Sequence, residues 1–542
     1  MQSHFSMIWE SVADSVPEHV ALIQGERQIS WRDYEDRASR LAQGLIDAGL
    51  GHNSKVGMYL YNSPEYAETN FAAMKIGSVP INVNYRYLDD ELHYLLENAD
   101  IEALVFHSSL GDRLARVRSR LPMLKAMICV DDGPAEDGSM GPTNSIPYDT
   151  FLAQASGSAK TQPQGDEIYM LYTGGTTGMP KGVMYPLDGF TEFFMRGFPP
   201  MIGLPPFEDA AQFSPAARQM VDANATVVAM SGPPLMHGTG CWLGLMFPHM
   251  LGGTSVLLEN RGFKPEEVWS TVERDRVSQI IIVGDAFAKP LLRALETEPD
   301  RWDTSSLKLM ISSGAMFTTE VKRGLIDHVP ELAIADVLGS TEGGMGQSIM
   351  TKDTPPSETA KFTLLPVAKV LLPDGSREVV PGSGEVGMVA QCGMVPLGYY
   401  KDPEKSAKTF KEIDGTRYAF IGDMATIDAD GTINLLGRGS NCINTGGEKV
   451  FPEEVEEALK LHPDVADALV FGLEDERFGN RVAGVVSLEQ GGSADAGDIL
   501  AATRKLLASY KLPKDLLVVP VVPRAPNGKA DYKTAKSMMA GS

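Results

Sequence analysis

A glycine- and threonine-rich segment, Tyr172–Gly182, constrains this chain more than any other feature of its sequence. It follows an apolar stretch, Ile168–Leu171, which predicts a buried β-strand. Glycines let backbone amides approach an anion closely, and the threonine hydroxyls together with Lys181 add further donors. The segment is not a Walker A motif, because Pro180 precedes the lysine and glycine follows it. The pattern therefore predicts a strand that leads into a polyphosphate-binding loop.

Strand and helix patterns alternate on both sides of this loop. An amphipathic helix is predicted between the capping residue Ser30 and Gly49, and buried strands are predicted at Lys55–Leu60, Ala103–Phe106 and Gln279–Val283. A repeated strand–helix order is typical of an α/β fold with a largely parallel sheet. We therefore predict that fold class for most of the chain.

The composition and the predicted secondary structure change towards the C-terminus of the chain. Val380–Gly398 is rich in valine, glycine and proline and predicts a small β-subdomain, and a helix at Pro452–Leu461 and a strand at Ala468–Phe471 follow. We predict a large N-terminal α/β domain over residues 1–437 and a small α+β C-terminal domain over residues 438–542.

Charge and cysteine content exclude several function classes. The 48 Lys and Arg residues against 71 Asp and Glu residues give a net charge of −23, which argues against a nucleic-acid partner. The four cysteines lie far apart, so neither a disulfide framework nor a zinc site is expected; they are Cys129, Cys241, Cys392 and Cys442. No signal peptide and no membrane-spanning run is apparent, and a cytoplasmic location is the expectation.

Seven further motifs follow the loop in order: Ser313–Ala315, Gly339–Glu342, Gly384–Gly387 with Gly398–Tyr400, Gly422–Asp423, Gly437–Arg438, Gly446–Val455 and Asn527–Lys529. With the loop, these motifs resemble the adenylate-forming superfamily, which includes acyl-CoA synthetases, luciferases and peptide-synthetase adenylation domains. The resemblance covers nearly the whole chain. It implies a C-terminal domain that is mobile and carries the catalytic lysine.

The reaction that the resemblance implies has two steps. A carboxylate attacks the α-phosphate of ATP, which gives an acyl-adenylate and pyrophosphate, and a thiol such as that of coenzyme A then forms a thioester and releases AMP. Lys529 is the candidate that bridges the two anions in the first step. Thr341 and Glu342 would face the phosphates, and a Mg²⁺ ion between them would prevent repulsion. His237 would lie at the mouth of the acyl pocket.

The resemblance also implies a set of cofactor-binding residues, in which Asp423 accepts from the ribose hydroxyls and Arg438 marks the hinge. The metal is assigned to Glu342 and Thr173. The full cofactor-binding set is Thr173, Gly174, Gly175, Thr176, Thr177, Lys181, Ser313, Gly314, Ala315, Asp336, Leu338, Gly339, Ser340, Asp423, Arg438, Gly446, Gly447 and Lys449.

Three positions depart from the common pattern of this superfamily. Leu338 stands where an aromatic side chain usually stacks on adenine, so apolar contact remains but π-stacking is lost. Ser440 stands near the usual charged hinge residue. Asn444 replaces a lysine, and Lys449 is a nearby candidate to support the thioester step instead.

Within the superfamily, three segments resemble a narrower group, the bacterial acyl-CoA ligases acting on fatty acids and sterol side-chain carboxylates: Phe207–Thr226, an apparent insertion, Gly437–Val450 and Asn527–Tyr532. A set of small residues would suit either a bulky acyl group or tight turns, and both interpretations stay open. These residues are Gly238, Gly240, Gly284, Ala286, Gly314, Ala315, Gly343 and Gly346.

The favoured hypothesis is an ATP-dependent acyl-CoA synthetase that acts on a fatty, branched or steroid-type carboxylic acid. Its partners would be that acid, ATP and coenzyme A, and a homodimer is left open. An acyl-AMP ligase that loads a carrier protein and a luciferase-like adenylating oxygenase are the alternatives. A non-catalytic nucleotide-binding regulator is disfavoured because Lys529 and Glu342 are both present.

Overall fold

The computed structural model describes residues 3–135, 138, 141–142, 144–175, 178–354, 360–445, 448–475, 479–525 and 529–540. The strands of the N-terminal part are β1 (Val20–Gln24), β2 (Arg27–Ser30), β3 (Lys55–Tyr59), β4 (Val79–Asn82), β5 (Ile101–His107), β6 (Ala126–Val130), β7 (Ile146–Pro147), β8 (Ile168–Gly175), β9 (Gly178–Pro186), β10 (Val228–Ser231), β11 (Thr254–Leu257), β12 (Gln279–Ile282), β13 (Leu309–Ser313), β14 (Ala333–Ser340), β15 (Gly343–Met350), β16 (Lys361–Leu364), β17 (Ala368–Leu371), β18 (Gly387–Gln391), β19 (Gly398–Tyr399), β20 (Phe410–Ile413), β21 (Thr416–Ile427) and β22 (Thr432–Arg438). The later strands are β23 (Ile443–Thr445), β24 (Glu448–Val450), β25 (Val465–Asp475), β26 (Gly479–Leu488) and β27 (Asp515–Val518).

The α-helices are α1 (Phe5–Ser15), α2 (Trp31–Asp47), α3 (Pro64–Lys75), α4 (Asp89–Asn98), α5 (Gly111–Arg118), α6 (Tyr148–Gln154), α7 (Leu187–Gly197), α8 (Phe213–Asp222), α9 (Gly238–Cys241), α10 (Phe247–Met250), α11 (Pro265–Asp275), α12 (Asp285–Thr297), α13 (Thr319–His328), α14 (Pro403–Thr409), α15 (Pro452–Lys460), α16 (Ala496–Thr503) and α17 (Tyr532–Ala540). A π-helical turn, Trp242–Met246, joins α9 to α10.

The largest sheet has a parallel centre and an antiparallel flank. Its parallel strands lie in the order β14-β13-β12-β10-β11-β1, and β15 to β18 with β20 to β22 extend it beyond β14. Helices α11, α12 and α13 bury Trp269, Leu291 and Leu325 against this parallel centre. Because the strands are parallel, the segments that follow β13 and β14 emerge at the same edge of the sheet.

A second, five-stranded parallel sheet has the order β4-β3-β5-β6-β7. Helices α2 and α3 pack against each other, and their side chains Tyr34 and Phe71 share one core with Leu22 of the first sheet and Val56 of the second. The Ser30 hydroxyl caps α2 by accepting a hydrogen bond from the Asp33 amide, as its sequence position predicts.

A small three-stranded antiparallel sheet joins distant parts of the chain. Strands β8 and β9 form a hairpin, and β19 pairs with β9 from more than two hundred residues away, with Gly398 opposite Met184. Of the segment 172–182, which the sequence predicted to bind polyphosphate, the described residues 172–175 and 178–182 therefore lie in the two paired strands of this hairpin.

The C-terminal domain has its own sheet, in the order β24-β23-β26-β25, with β27 parallel to β26. Helix α15 packs on β25, and Val455 and Leu459 of the helix share a core with Val470 and Val486. The predicted α/β fold with a large N-terminal domain and a small C-terminal domain is confirmed. Within the described residues, no helix is both long enough and apolar enough to cross a membrane.

The segment Phe207–Thr226, expected to be an insertion, is integrated into the core. It contains helix α8, which packs against α1, and the rings of Phe207 and Phe213 are buried against each other at a centroid distance of 4.8 Å. The acidic and small residues of this segment made α8 hard to recognise in the sequence, because only Phe213 and Ala217 of the helix are buried.

A buried carboxylate makes the C-terminal domain sensitive to pH. Glu456 on α15 accepts a hydrogen bond from the Val470 amide at 2.8 Å. Burial, followed by the charge of Glu453, raises the pKa of Glu456 from 4.5 to about 7. The unfolded chain therefore ionises first as pH rises, so stability is present at low pH and is lost as pH rises through the folded-state pKa.

We expect Glu456→Gln to stabilise the protein at alkaline pH, because glutamine stays neutral and keeps an acceptor for the Val470 amide. The free energy of unfolding should rise by about 3 kcal/mol near pH 8 and by less than about 1 kcal/mol near pH 5. Denaturant titration at both pH values measures this, with the exposed Glu404→Gln as control. An equal gain at both pH values would contradict the assignment.

Candidate active site

A cavity of about 940 Å³ lies at the edge where β13 and β14 end, and it is lined by both domains. Most of the predicted site residues that can be placed border it. They are Thr173, Lys181, Gly314, Ala315, Asp336, Leu338, Gly339, Ser340, Thr341, Glu342, Asp423 and Lys529.

The phosphate-loop hairpin is held by a buried amide that the sequence analysis did not single out. Asn82, at the end of β4, donates to the carbonyl oxygens of Tyr172 at 2.8 Å and Met236 at 2.7 Å, and it accepts from the Tyr172 amide at 2.7 Å. These two residues directly precede Thr173 and His237. Asn82 thus sets the relative position of two predicted functional segments.

Two tyrosines of the small sheet hold the turn at Thr341 and Glu342. The Tyr185 hydroxyl donates to the carbonyl oxygen of Thr341, and the Tyr399 hydroxyl donates to Glu342 at 2.7 Å. The other carboxylate oxygen of Glu342 accepts from the Ser340 hydroxyl at 2.8 Å. Hydrogen bonds within the protein therefore orient this carboxylate.

The described residues of the site include one predicted carboxylate ligand for a metal ion, Glu342. No cluster of three or more His, Cys, Asp or Glu side chains suited to a metal occurs among the described residues. Mg²⁺ commonly binds through one or two carboxylates, waters and substrate phosphates. Glu342, with Thr173 on the same cavity, fits that arrangement.

Asp423 and Arg438 lie directly opposite each other on neighbouring antiparallel strands, β21 and β22. Asp423 is largely buried yet lines the cavity, as a ribose acceptor would. The backbone of Arg438 ends β22, whereas its side chain lies outside the described part of the structure, as do those of Ser440, Asn444 and Lys449.

Asp336 is engaged within the protein. It lines the cavity, but its carboxylate pairs with Lys322 at 2.6 Å, and both side chains are buried. Burial raises the pKa of Asp336, and Lys322 opposes that rise. Leu338 presents an apolar side chain to the same cavity, and Ser313 ends β13 just before Gly314.

Lys529 of the C-terminal domain lines the cavity, whereas His237 of the N-terminal domain is not among its lining residues, although the charge of Lys529 acts on the imidazole. Burial, and then the positive charges of Lys529 and Arg86, lower the pKa of His237 to about 4. The imidazole is therefore neutral near pH 7 and adds no charge. Lys529 is exposed on the cavity, where its ammonium group can reach an anion.

Some predicted residues cannot be placed. Thr176, Thr177, Gly446 and Gly447 lie outside the described residues, and Gly174 and Gly175 are described only as the backbone end of β8.

Most of the glycines proposed to open an acyl pocket instead lie tightly against neighbouring backbone or side-chain atoms. A Cβ atom on Gly240 would lie 2.6 Å from the Pro234 oxygen, and one on Gly343 would lie 2.7 Å from the Gln391 side chain. Gly284 has a φ of +56° and lies against the Met316 carbonyl. Gly314 has open space, but its φ of +94° disfavours any larger residue. The structure thus favours the tight-turn interpretation.

Polar contacts join the two domains beside the cavity. Lys289 on α12 donates to the Ala466 carbonyl oxygen, and Arg293 pairs with Glu489 at 2.5 Å. Lys460 on α15 contacts the Met316 sulfur at 3.1 Å. No short motif marks these residues, because each partner comes from a distant part of the chain.

Curated proteins are similar in sequence to this chain over nearly its whole length. The chain is 40% identical to the medium/long-chain-fatty-acid–CoA/3-oxocholest-4-en-26-oate–CoA ligase of Mycolicibacterium smegmatis, over 98% of this chain and 95% of that protein. It is 40% identical to the 3-oxocholest-4-en-26-oate–CoA ligase of Rhodococcus rhodochrous, over 97% and 94%. It is 39% identical to the medium-chain acyl-CoA ligase Mig of Mycobacterium avium, over 97% and 96%.

Solved structures support the fold. The chain superposes on ATP-bound MatB from Rhodopseudomonas palustris with a TM-score of 0.79, at 23% identity and covering 98% of each chain. It superposes on the anthranilate CoA ligase AuaEII in complex with anthranoyl-AMP with a TM-score of 0.80, at 21% identity and covering 100% and 99%.

Family models match both domains. The AMP-binding enzyme model matches residues 9–400, and the model of the AMP-binding enzyme C-terminal domain matches residues 454–529. With a cavity lined by the superfamily's motifs and relatives at 40% identity over nearly the whole chain, the protein belongs to the AMP-binding enzyme family.

Proposed function

We propose that the protein is an ATP-dependent acyl-CoA synthetase that activates a fatty or steroid-type carboxylic acid through an acyl-adenylate. The observation that carries this proposal is the convergence of Lys181, Glu342, Asp423 and Lys529 on one cavity. Adenylation brings a carboxylate and a polyphosphate together, so the site must supply cations for both and an acceptor for the ribose. These four side chains meet those requirements.

In the first step, Lys529 would lie between the substrate carboxylate and the α-phosphate and reduce their repulsion. Its position on the cavity that Glu342 and Asp423 also line supports this role. Lys181, on β9, would hold the phosphates from the other side of the cavity. Asp423 would accept hydrogen bonds from the ribose hydroxyls, which fixes the α-phosphate relative to Lys529.

Glu342 and Thr173 are the residues that would hold Mg²⁺. When bound, the ion would neutralise phosphate charge that the carboxylate of Glu342 alone would repel. The hydrogen bonds from Tyr399 and Ser340 hold Glu342 in one orientation and leave it lone pairs for coordination.

In the second step, coenzyme A would attack the adenylate after the C-terminal domain has moved. We propose the boundary between residues 437 and 438, where β22 ends, as the place of that movement. Lys449 remains our candidate for support of this step. The supply of ATP and coenzyme A favours a cytoplasmic location, and the homodimer stays a prediction.

The proposed substrate class rests on the relatives, whose names specify medium- and long-chain fatty acids and 3-oxocholest-4-en-26-oate. We expect AMP release with fatty acids and C26 steroid acids that requires both the acid and coenzyme A, and at most weak release with small aryl acids. A panel of these acids, assayed with and without coenzyme A, measures it.

The same panel separates the alternatives. Adenylate that accumulates with coenzyme A present, and that is discharged only onto a carrier protein, would indicate the acyl-AMP ligase. Light emission with an added luciferin would indicate the oxygenase. Absence of acid-dependent pyrophosphate release would contradict the proposed function altogether.

We expect Lys529→Ala to reduce adenylate formation by about 10²–10³, because the lysine cation serves the first step. Thioester formation from a supplied acyl-adenylate should change little. Pyrophosphate release and thioester formation are measured separately. The exposed Lys533→Ala, four residues later on α17, is the matched control. Equal loss in both half-reactions would show that the lysine supports the structure instead.

We expect Asp423→Asn to raise the Kd for ATP by about tenfold to a hundredfold, since hydrogen bonds to a charged group contribute roughly 1.5–3 kcal/mol. Calorimetric titration with ATP measures the change. Asp414→Asn is the control, because Asp414 is exposed in the turn before β21 at a φ of 50°, which asparagine tolerates. An unchanged Kd would remove Asp423 from the nucleotide site.

A further inference from the structure

A second lysine faces the region that Lys181 serves. Lys405, on α14, lines the same cavity, although no motif in the sequence marks it. The ammonium nitrogens of Lys181 and Lys405 lie 5.8 Å and 5.3 Å from the centroid of the Tyr399 ring. The hydroxyl of that ring donates to Glu342. Both cations therefore lie over the side chain that orients the predicted metal ligand.

One carboxylate positions both lysines. Asp402 caps α14 by accepting from the backbone amide of Lys405 at 3.0 Å, and the same side chain pairs with the Lys181 ammonium at 3.1 Å. The start of α14 is fixed to β19 because the Ser406 hydroxyl accepts from the Tyr399 amide at 2.8 Å. Lys405 is thus held towards the cavity by a short, well-braced helix.

The two ammonium groups lie close enough to interact directly. Partial burial, followed by the contact with Lys181 and its charge, lowers the pKa of Lys405, whereas Glu342 and Asp402 oppose this effect. Two cations that lie over the same ring repel each other, and a polyanion bound to both would remove that repulsion. The arrangement is the one that a pair of adjacent phosphates would stabilise.

We propose that Lys405 pairs with Lys181 to bind the β- and γ-phosphates of ATP and to hold pyrophosphate as the leaving group. This inference rests on the proposed function. When the carboxylate oxygen forms its bond to the α-phosphorus, the bond from that phosphorus to the bridging oxygen breaks, and its electron pair passes to pyrophosphate. Cations beside that group stabilise the charge as it develops.

The test is calorimetric binding of Mg-pyrophosphate, Mg-ATP and AMP to the full chain. We expect Lys405→Ala to raise the Kd for pyrophosphate and ATP by about threefold to tenfold each and to leave the Kd for AMP unchanged. AMP lacks the β- and γ-phosphates, so it reports on the rest of the nucleotide site. Lys405→Arg should restore most of the affinity.

The matched control is Lys408→Ala on the same helix, whose lysine is exposed and pairs with Glu404. An AMP affinity that falls by the same factor as that of ATP would overturn the inference, and so would pyrophosphate binding that matches the Lys408→Ala control. Binding needs no carboxylic acid, so these outcomes are distinct from failure of the proposed function, which the acid panel detects.

Discussion

The buried side-chain carboxamide of Asn82 makes three hydrogen bonds that connect separate segments of this active site. Asn82 ends a strand of the second parallel sheet, yet its side chain bonds to Tyr172 and Met236 in other parts of the N-terminal domain. An unpaired amide buried there would cost several kcal/mol, so the three segments are kept in a fixed relation. That relation sets the positions of the phosphate-loop hairpin and of His237, and Thr173 and Lys181 of the hairpin line the cavity.

The site also shows how an acidic protein can bind a polyanion. The chain has a net charge of −23, but Lys181, Lys405 and Lys529 all line its cavity. Glu342, the predicted metal ligand, lines the same cavity as these lysines. Two hydrogen bonds restrict the orientation of its carboxylate. Local placement of cations, rather than net charge, determines which ligand such a cavity accepts.

Much of this arrangement could be predicted from the sequence, since the motifs stand at the ends of predicted strands. Residues that the sequence singled out in the segments after β13 and β14, together with Asp423 and Lys529, line one cavity, whereas the pairing of Asp423 opposite Arg438 is seen only in the structure. Asn82, Tyr185 and Lys405 could not be found this way, because their roles depend on contacts between distant segments. The glycines left two interpretations open for a related reason: a missing side chain can mean open space or closely packed neighbours, and only the neighbouring atoms distinguish the two.

The lysines that line the cavity are divided between the two domains, and this division bears on the order in which pyrophosphate departs and Lys529 is withdrawn. Lys181 and Lys405 belong to the N-terminal domain, whereas Lys529 reaches the cavity from the C-terminal domain. The contacts that join the domains at α12 include a partly exposed ion pair, Arg293 with Glu489. Exposed ion pairs contribute about 1 kcal/mol or less, so such contacts suit an interface that opens and closes. In the proposed mechanism, a leaving group held by the N-terminal lysines would depart as that interface opens, and Lys529, proposed to act in adenylation, would be withdrawn in the same movement.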